Sequence, residues 1–98
     1  MDLSVLEANS TQASQLLRVL SNEKRLMILC NLLEGERSVQ QLQEATGLGQ
    51  STVSQQLAVL RGERIVTFRR EAQSVFYRID SQDAAAILET LHGIYCGN

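Results

Sequence analysis

Two cysteines, Cys30 and Cys96, and a single histidine, His92, are the side chains of this 98-residue chain best suited to reactive chemistry. A thiolate is a nucleophile and a metal ligand, and two thiols give up two electrons and two protons when they join as a disulfide. His92 stands one helical turn before Cys96, where an imidazolium would lower the thiol pKa. Each residue also has a plainer reading. Cys30 falls on an apolar stripe beside Leu26 and Leu33, where a free cysteine acts as a small buried hydrophobe. Cys96 would be an indifferent residue at a loosely held end, and His92 a surface residue. A thiol enzyme built on Cys96 and His92 would lack a third orienting group and a helix N-terminus at the thiol, so no enzyme and no cofactor are expected. Zinc or arsenite needs three or four convergent ligands, and only Cys30, His92 and Cys96 are on offer, so no metal site is expected either.

A second chemistry belongs to side chains that bind without reacting. Gln50, Ser51, Thr52, Ser54 and Gln55 crowd one short stretch, and the segment from Arg61 to Arg78 holds five arginines opposed only by Glu63 and Glu71. Ser, Thr and Gln are short enough to let a helix backbone approach a DNA major groove yet reach base edges, Gln bidentately to adenine. Arg69 and Arg70 suit phosphates or the minor groove, fixing orientation rather than sequence. On an arbitrary helix such polar residues mean solvent and nothing more. The elements around them decide between the two.

Hydrophobic spacing supplies those elements. Ala13, Leu16, Leu17 and Leu20 recur at i, i+3, i+4, i+7, so about Glu7 to Leu20 reads as a first amphipathic helix. Ser21 is placed to cap a second, central helix that is apolar on two sides through Leu26, Ile28, Leu29, Cys30, Leu32 and Leu33. After Glu34-Gly35-Glu36, the pattern Ser38-Val39-Gln40-Gln41 is a capping box, opening a short helix with Val39, Leu42 and Ala45 inward. Gly47-Leu48-Gly49 turns into a fourth helix over about Gln50 to Arg61, which buries Val53, Leu57 and Leu60 and turns Ser51, Gln55 and Ala58 outward. Val66 to Arg69 and Ser74 to Ile79 are strand-like runs around Arg70-Glu71-Ala72-Gln73, and Asp80 or Ser81 caps a last helix striped by Ala84, Ile87, Leu88 and Leu91.

Two short helices around a glycine turn, followed by a basic hairpin, make a winged helix-turn-helix whose second helix enters the major groove. The fold expected is mainly α with a small β-hairpin: five helices plus a two-stranded wing, in one domain over residues 1–98. Hydrophobic residues at 44% and charged ones at 20% exclude a disordered chain. A chain of this size buries only about two-thirds of its unfolded surface, which favours a homodimer. The net charge of −2 conceals segregation: residues 40–78 carry +2, and residues 79–98 carry three acids and no base. Met1-Asp2-Leu3-Ser4 begins no secretory signal, and no apolar run is longer than Leu26 to Cys30, which spans no membrane, so a cytoplasmic, reducing location is expected.

The run Gln50-Ser51-Thr52-Val53-Ser54-Gln55-Gln56-Leu57-Ala58-Val59-Leu60-Arg61, with Ser21 to Leu26 upstream and Val75 to Ile79 downstream, resembles the ArsR/SmtB family of bacterial transcriptional repressors. That resemblance implies a homodimer through the first and last helices, a palindromic operator, and release of DNA when an inducer is sensed. Gln56 stands where the family commonly has His, Gly49 where Ser often caps, and Arg64 where Gly usually follows the recognition helix. Either Arg64 adopts positive φ or the helix stops at Gly62. The Cys-x-Cys of metal-sensing members is replaced by Ser38-Val39-Gln40. Ile28 to Leu33, Glu71 to Tyr77 and Leu91 to Cys96 resemble the thiol-based (BigR/SqrR/HlyU-like) subgroup. This implies that Cys30 and Cys96 of one subunit lie close, and that reactive sulfur species or an oxidant join them by a disulfide or a longer sulfur chain. The competing reading keeps the fold, with inert cysteines and control by a metal ion or a protein partner.

Overall fold

The computed structural model describes residues 2–97. In chain order the elements are α1 (Leu3–Ala8), α2 (Ser10–Leu20), α3 (Glu23–Leu32), β1 (Arg37–Ser38), α4 (Val39–Thr46), α5 (Gln50–Gly62), β2 (Val66–Glu71), β3 (Ser74–Ile79) and α6 (Gln82–Cys96). The winged helix-turn-helix is present, with two changes of count among the described residues. Six helices replace five, because Asn9 divides the first: its side-chain Nδ2 donates to the Val5 carbonyl at 2.9 Å, a local bond that competes with helix continuation. The sheet has three strands in the order β1-β3-β2, all antiparallel, because Arg37 and Ser38 pair with Tyr77 and Phe76. Two residues are too few to show a period of two.

Caps account for most of the boundaries. Asn22, not Ser21, starts α3, its Oδ1 accepting from the Arg25 N–H at 3.0 Å, while Ser21 closes α2. The capping box holds as read: Ser38 Oγ accepts from the Gln41 N–H and Gln41 Oε1 from the Ser38 N–H. Gly47, at φ +75°, ends α4, and Ser81 Oγ caps α6 by accepting from the Ala84 N–H. Both alternatives for Arg64 are realised: α5 ends at Gly62 and Arg64 sits at φ +62°. The Ile65 N–H reaches the Leu60 carbonyl and the Arg64 N–H the Arg61 carbonyl, which is a Schellman motif with arginine in the place glycine prefers. β2 runs on to Glu71, leaving Ala72 and Gln73 as the turn, with Ala72 at φ +55°.

Ile28 and Leu29 of α3, Leu42 of α4, Val53, Leu57 and Leu60 of α5, and Ala84 and Leu88 of α6 form the buried centre, so α3 is central as its two apolar sides required. Ala45, expected inward, is exposed at the end of α4. Leu17 is exposed too, although it belongs to the α2 stripe. Among the described residues no helix is long and apolar enough to cross a membrane.

Candidate nucleic-acid interface and thiol pair

Burying Val53, Leu57 and Leu60 turns the opposite arc of α5 to solvent. Gln50, Ser51, Ser54 and Gln55 are exposed there, with Thr52 half-buried at the flank. The exposed arc continues by steps of three through Ala58 to Arg61. Arg25 fixes this helix from behind: its Nη1 donates to Gln56 Oε1 at 3.1 Å and its Nε to the Val19 carbonyl at 2.6 Å. Gln56 therefore joins α5 to α3 and to the end of α2. Nothing in the local pattern around Arg25 signals this, because its partner lies 31 residues away.

The two wing arginines differ in what they touch. Arg69 is held by carboxylates: its Nε donates to Glu36 Oε1 and Oε2, both at 3.0 Å, its Nη2 pairs with Glu36 Oε1 at 3.0 Å, and its Nη1 reaches Glu71 Oε2 at 2.9 Å. These bonds hold the Glu36 carboxyl below its ordinary value of 4.5 and raise the guanidinium pKa further still. The clamp fastens the wing to the chain just before β1. Arg70 makes no ion pair among the described residues and lies over the Phe68 ring, its Cζ 5.5 Å from the centroid. Sequence reasoning missed Glu36, which carries no motif, and did not place Arg61 on the exposed arc of α5, although its spacing from Gln55 and Ala58 was readable.

Both thiols are free. Cys30 is half-buried, outside the core that its stripe suggested, and Cys96 is exposed at the end of α6. An open cleft of about 450 Å³ lies between α3 and α6, lined by Cys30, Asn31, Leu33, Glu34, Glu89 and His92. Cys30 and His92 thus share a cleft, and Cys96 follows one turn beyond His92. Burial pushes the Cys30 thiol up from its ordinary 9.0, and the charge of a Cys96 thiolate adds a second, smaller push in the same direction. Among the described residues no cluster of three histidine, cysteine, aspartate or glutamate side chains is arranged to hold a metal ion.

Comparison with known proteins fits this geometry. Residues 22–67, from the cap of α3 into β2, match the family model described as bacterial regulatory protein, arsR family. The transcriptional activator HlyU of Vibrio cholerae is 47% identical over 96 residues, 98% of this chain and 89% of that protein. The reduced form of that HlyU superposes with a TM-score of 0.88, covering 93% of this chain and 96% of the other. The transcriptional repressor BigR of Xylella fastidiosa superposes with a TM-score of 0.92 at 41% identity, over 100% of both chains. A homodimeric winged helix-turn-helix DNA-binding domain from Mycobacterium bovis aligns at 33% identity and a TM-score of 0.77, over 90% of this chain and 82% of that one. Identity at this level along nearly all of both chains, on one shared fold, makes this protein a member of the arsR family of DNA-binding transcriptional regulators.

Proposed function

We propose that the protein is a homodimeric repressor that binds a palindromic operator and is released when Cys30 and Cys96 of one subunit are joined. The repressor sense follows the similarity to BigR, and the dimer follows the homodimeric relative and the exposed apolar faces of the terminal helices. Ser51, Ser54 and Gln55 read base edges from the outer arc of α5, Gln50 and Thr52 flank them, and Arg70 holds the backbone. No cofactor takes part. The observation that carries the switch is Cys30 on the cleft between α3 and α6, which His92 also lines one turn before Cys96.

The chemistry balances without a metal. A persulfide donor transfers one sulfur to the exposed Cys96 and leaves as a thiol. The Cys30 thiolate then attacks, a disulfide forms, and hydrosulfide departs. If both cysteines are first persulfidated, loss of hydrogen sulfide leaves a three-sulfur bridge. Either link ties α6 to α3 and favours one arrangement of the dimer over another, so DNA affinity changes by the differential stability of the two states. A coupling of about 1–3 kcal/mol changes operator occupancy roughly 5- to 150-fold. Treatment with a persulfide donor should give an intramolecular Cys30–Cys96 link by mass spectrometry and release of operator DNA, while Cys30→Ser stays bound. Release of that variant at the wild-type level would overturn the switch.

A further inference from the structure

Two arginines share one aromatic ring at the foot of the wing. Arg61, the last exposed step of the α5 arc, brings its Cζ to 4.1 Å from the Phe68 centroid, and Arg70 brings its own to 5.5 Å. The two positive charges therefore lie within roughly one Debye length, about 10 Å at 0.1 M salt, and neither has a carboxylate partner among the described residues. Like charges held together without a counterion repel, and an anion placed between them removes that cost. A guanidinium resting on a ring face also keeps its edge N–H donors free for a phosphate and loses less rotamer freedom on binding. Arg69 also lies over a ring, its Cζ 5.0 Å from the Phe76 centroid, but each of its three nitrogens is within 3.0 Å of a Glu36 or Glu71 carboxylate oxygen, so its charge already has partners.

We propose that Arg61 and Arg70, held on Phe68, form a clip for a DNA phosphodiester beside the groove that α5 enters, and that Arg69 is a positioning residue that does not touch DNA. The clip rests on the reading of α5 as the groove-entering helix, and it replaces Arg69 by Arg61 in the set of backbone contacts. Phe68 is on β2 and Arg61 on α5, so the ring couples the helix to the wing.

The measurement is the slope of log affinity against log salt for an operator duplex, with melting temperature as a folding control. Each neutralised phosphate contributes roughly 0.9 to the slope, so Arg61→Gln and Arg70→Gln should each flatten it, by up to about 0.9 per bound subunit for the one phosphodiester they share. Arg61→Lys, which keeps the charge but not the planar fork, should restore the slope. Arg69→Gln should leave the slope at the wild-type value whatever it does to affinity. On addition of DNA, the side-chain Nε–H NMR signals of Arg61 and Arg70 should move and that of Arg69 should stay. A wild-type slope in Arg61→Gln, or a flattening in Arg69→Gln equal to that in Arg70→Gln, overturns the clip while leaving the groove reading intact. A wild-type protein whose binding ignores salt overturns both.

Discussion

Arg64 shows how much one side chain can cost a helix end. At C′ of the Schellman motif its φ is +62°, a conformation that costs an L-residue roughly 1–2 kcal/mol and glycine almost nothing. Arg64→Gly should therefore stabilise the fold by about 0.5–1 kcal/mol after the extra chain entropy of glycine is subtracted. Urea unfolding should show a higher midpoint at unchanged slope, and a lower midpoint would mean that the exposed arginine makes a stabilising contact. Cys30 gives a second residue-scale expectation. Burial and the Cys96 thiolate both favour its neutral thiol, so its alkylation rate should still be climbing above pH 9.0. Cys96→Ser removes only the smaller cause and should move the profile part of the way down. A plateau reached below pH 9.0, followed by mass spectrometry of iodoacetamide labelling, would contradict this.

Among the elements, α5 turns one glutamine out to solvent and the next inward. Gln55 lies on the exposed arc and Gln56, one residue on, is turned inward to Arg25, so the two amides have different consequences. Gln55→Ala should cost roughly 1–3 kcal/mol on the preferred operator and relax its specificity, as fluorescence anisotropy on cognate and scrambled duplexes would show. Equal losses on both duplexes would remove Gln55 from the base-reading set. The wing is set by the clamp between Glu36 and Arg69. Because the Glu36 pKa is lowered in the fold, the stability from this pair is present above 4.5 and lost as pH falls through the lowered value. NMR of the Glu36 carboxyl should thus show the wing fastened at neutral pH and freed only below 4.5. A midpoint at or above 4.5 would show that the clamp is absent in solution.

The whole molecule is larger than its length requires. Its radius of gyration is 14.5 Å, against about 13 Å for a compact domain of 100 residues, and its extents are 48 × 30 × 20 Å. Apolar side chains stand exposed on α1, α2 and α6: Leu3, Val5, Leu6, Leu17, Ile94 at 64% and Tyr95 at 82%. Faces of this kind on both terminal helices are what a second copy would cover. Sedimentation at micromolar concentration should give a dimer, and Leu17→Glu should shift it toward monomer and weaken operator binding at least tenfold, about 1.4 kcal/mol, because two half-sites would no longer be held together. A wild-type monomer would overturn the dimer, as would a Leu17→Glu protein that assembles as wild type does.

The features legible in the sequence are local. The amphipathic periods of α2 and α6, the capping box at Ser38, the glycine turn before α5 and the outward arc of Ser51, Gln55 and Ala58 all depend on spacings of one to four residues, which chain geometry alone converts into a shared face or a capped end. The helix-turn-helix followed by its wing was legible for that reason. Packing of the elements settles what depends on distant partners. It placed Glu36 against Arg69 across 33 residues, paired β1 with β3, brought Arg61 and Arg70 to one ring, and left Cys30 on a cleft instead of in the core. Such contacts follow from how packed elements are oriented relative to one another, and side-chain type at a single position carries no periodic record of that orientation.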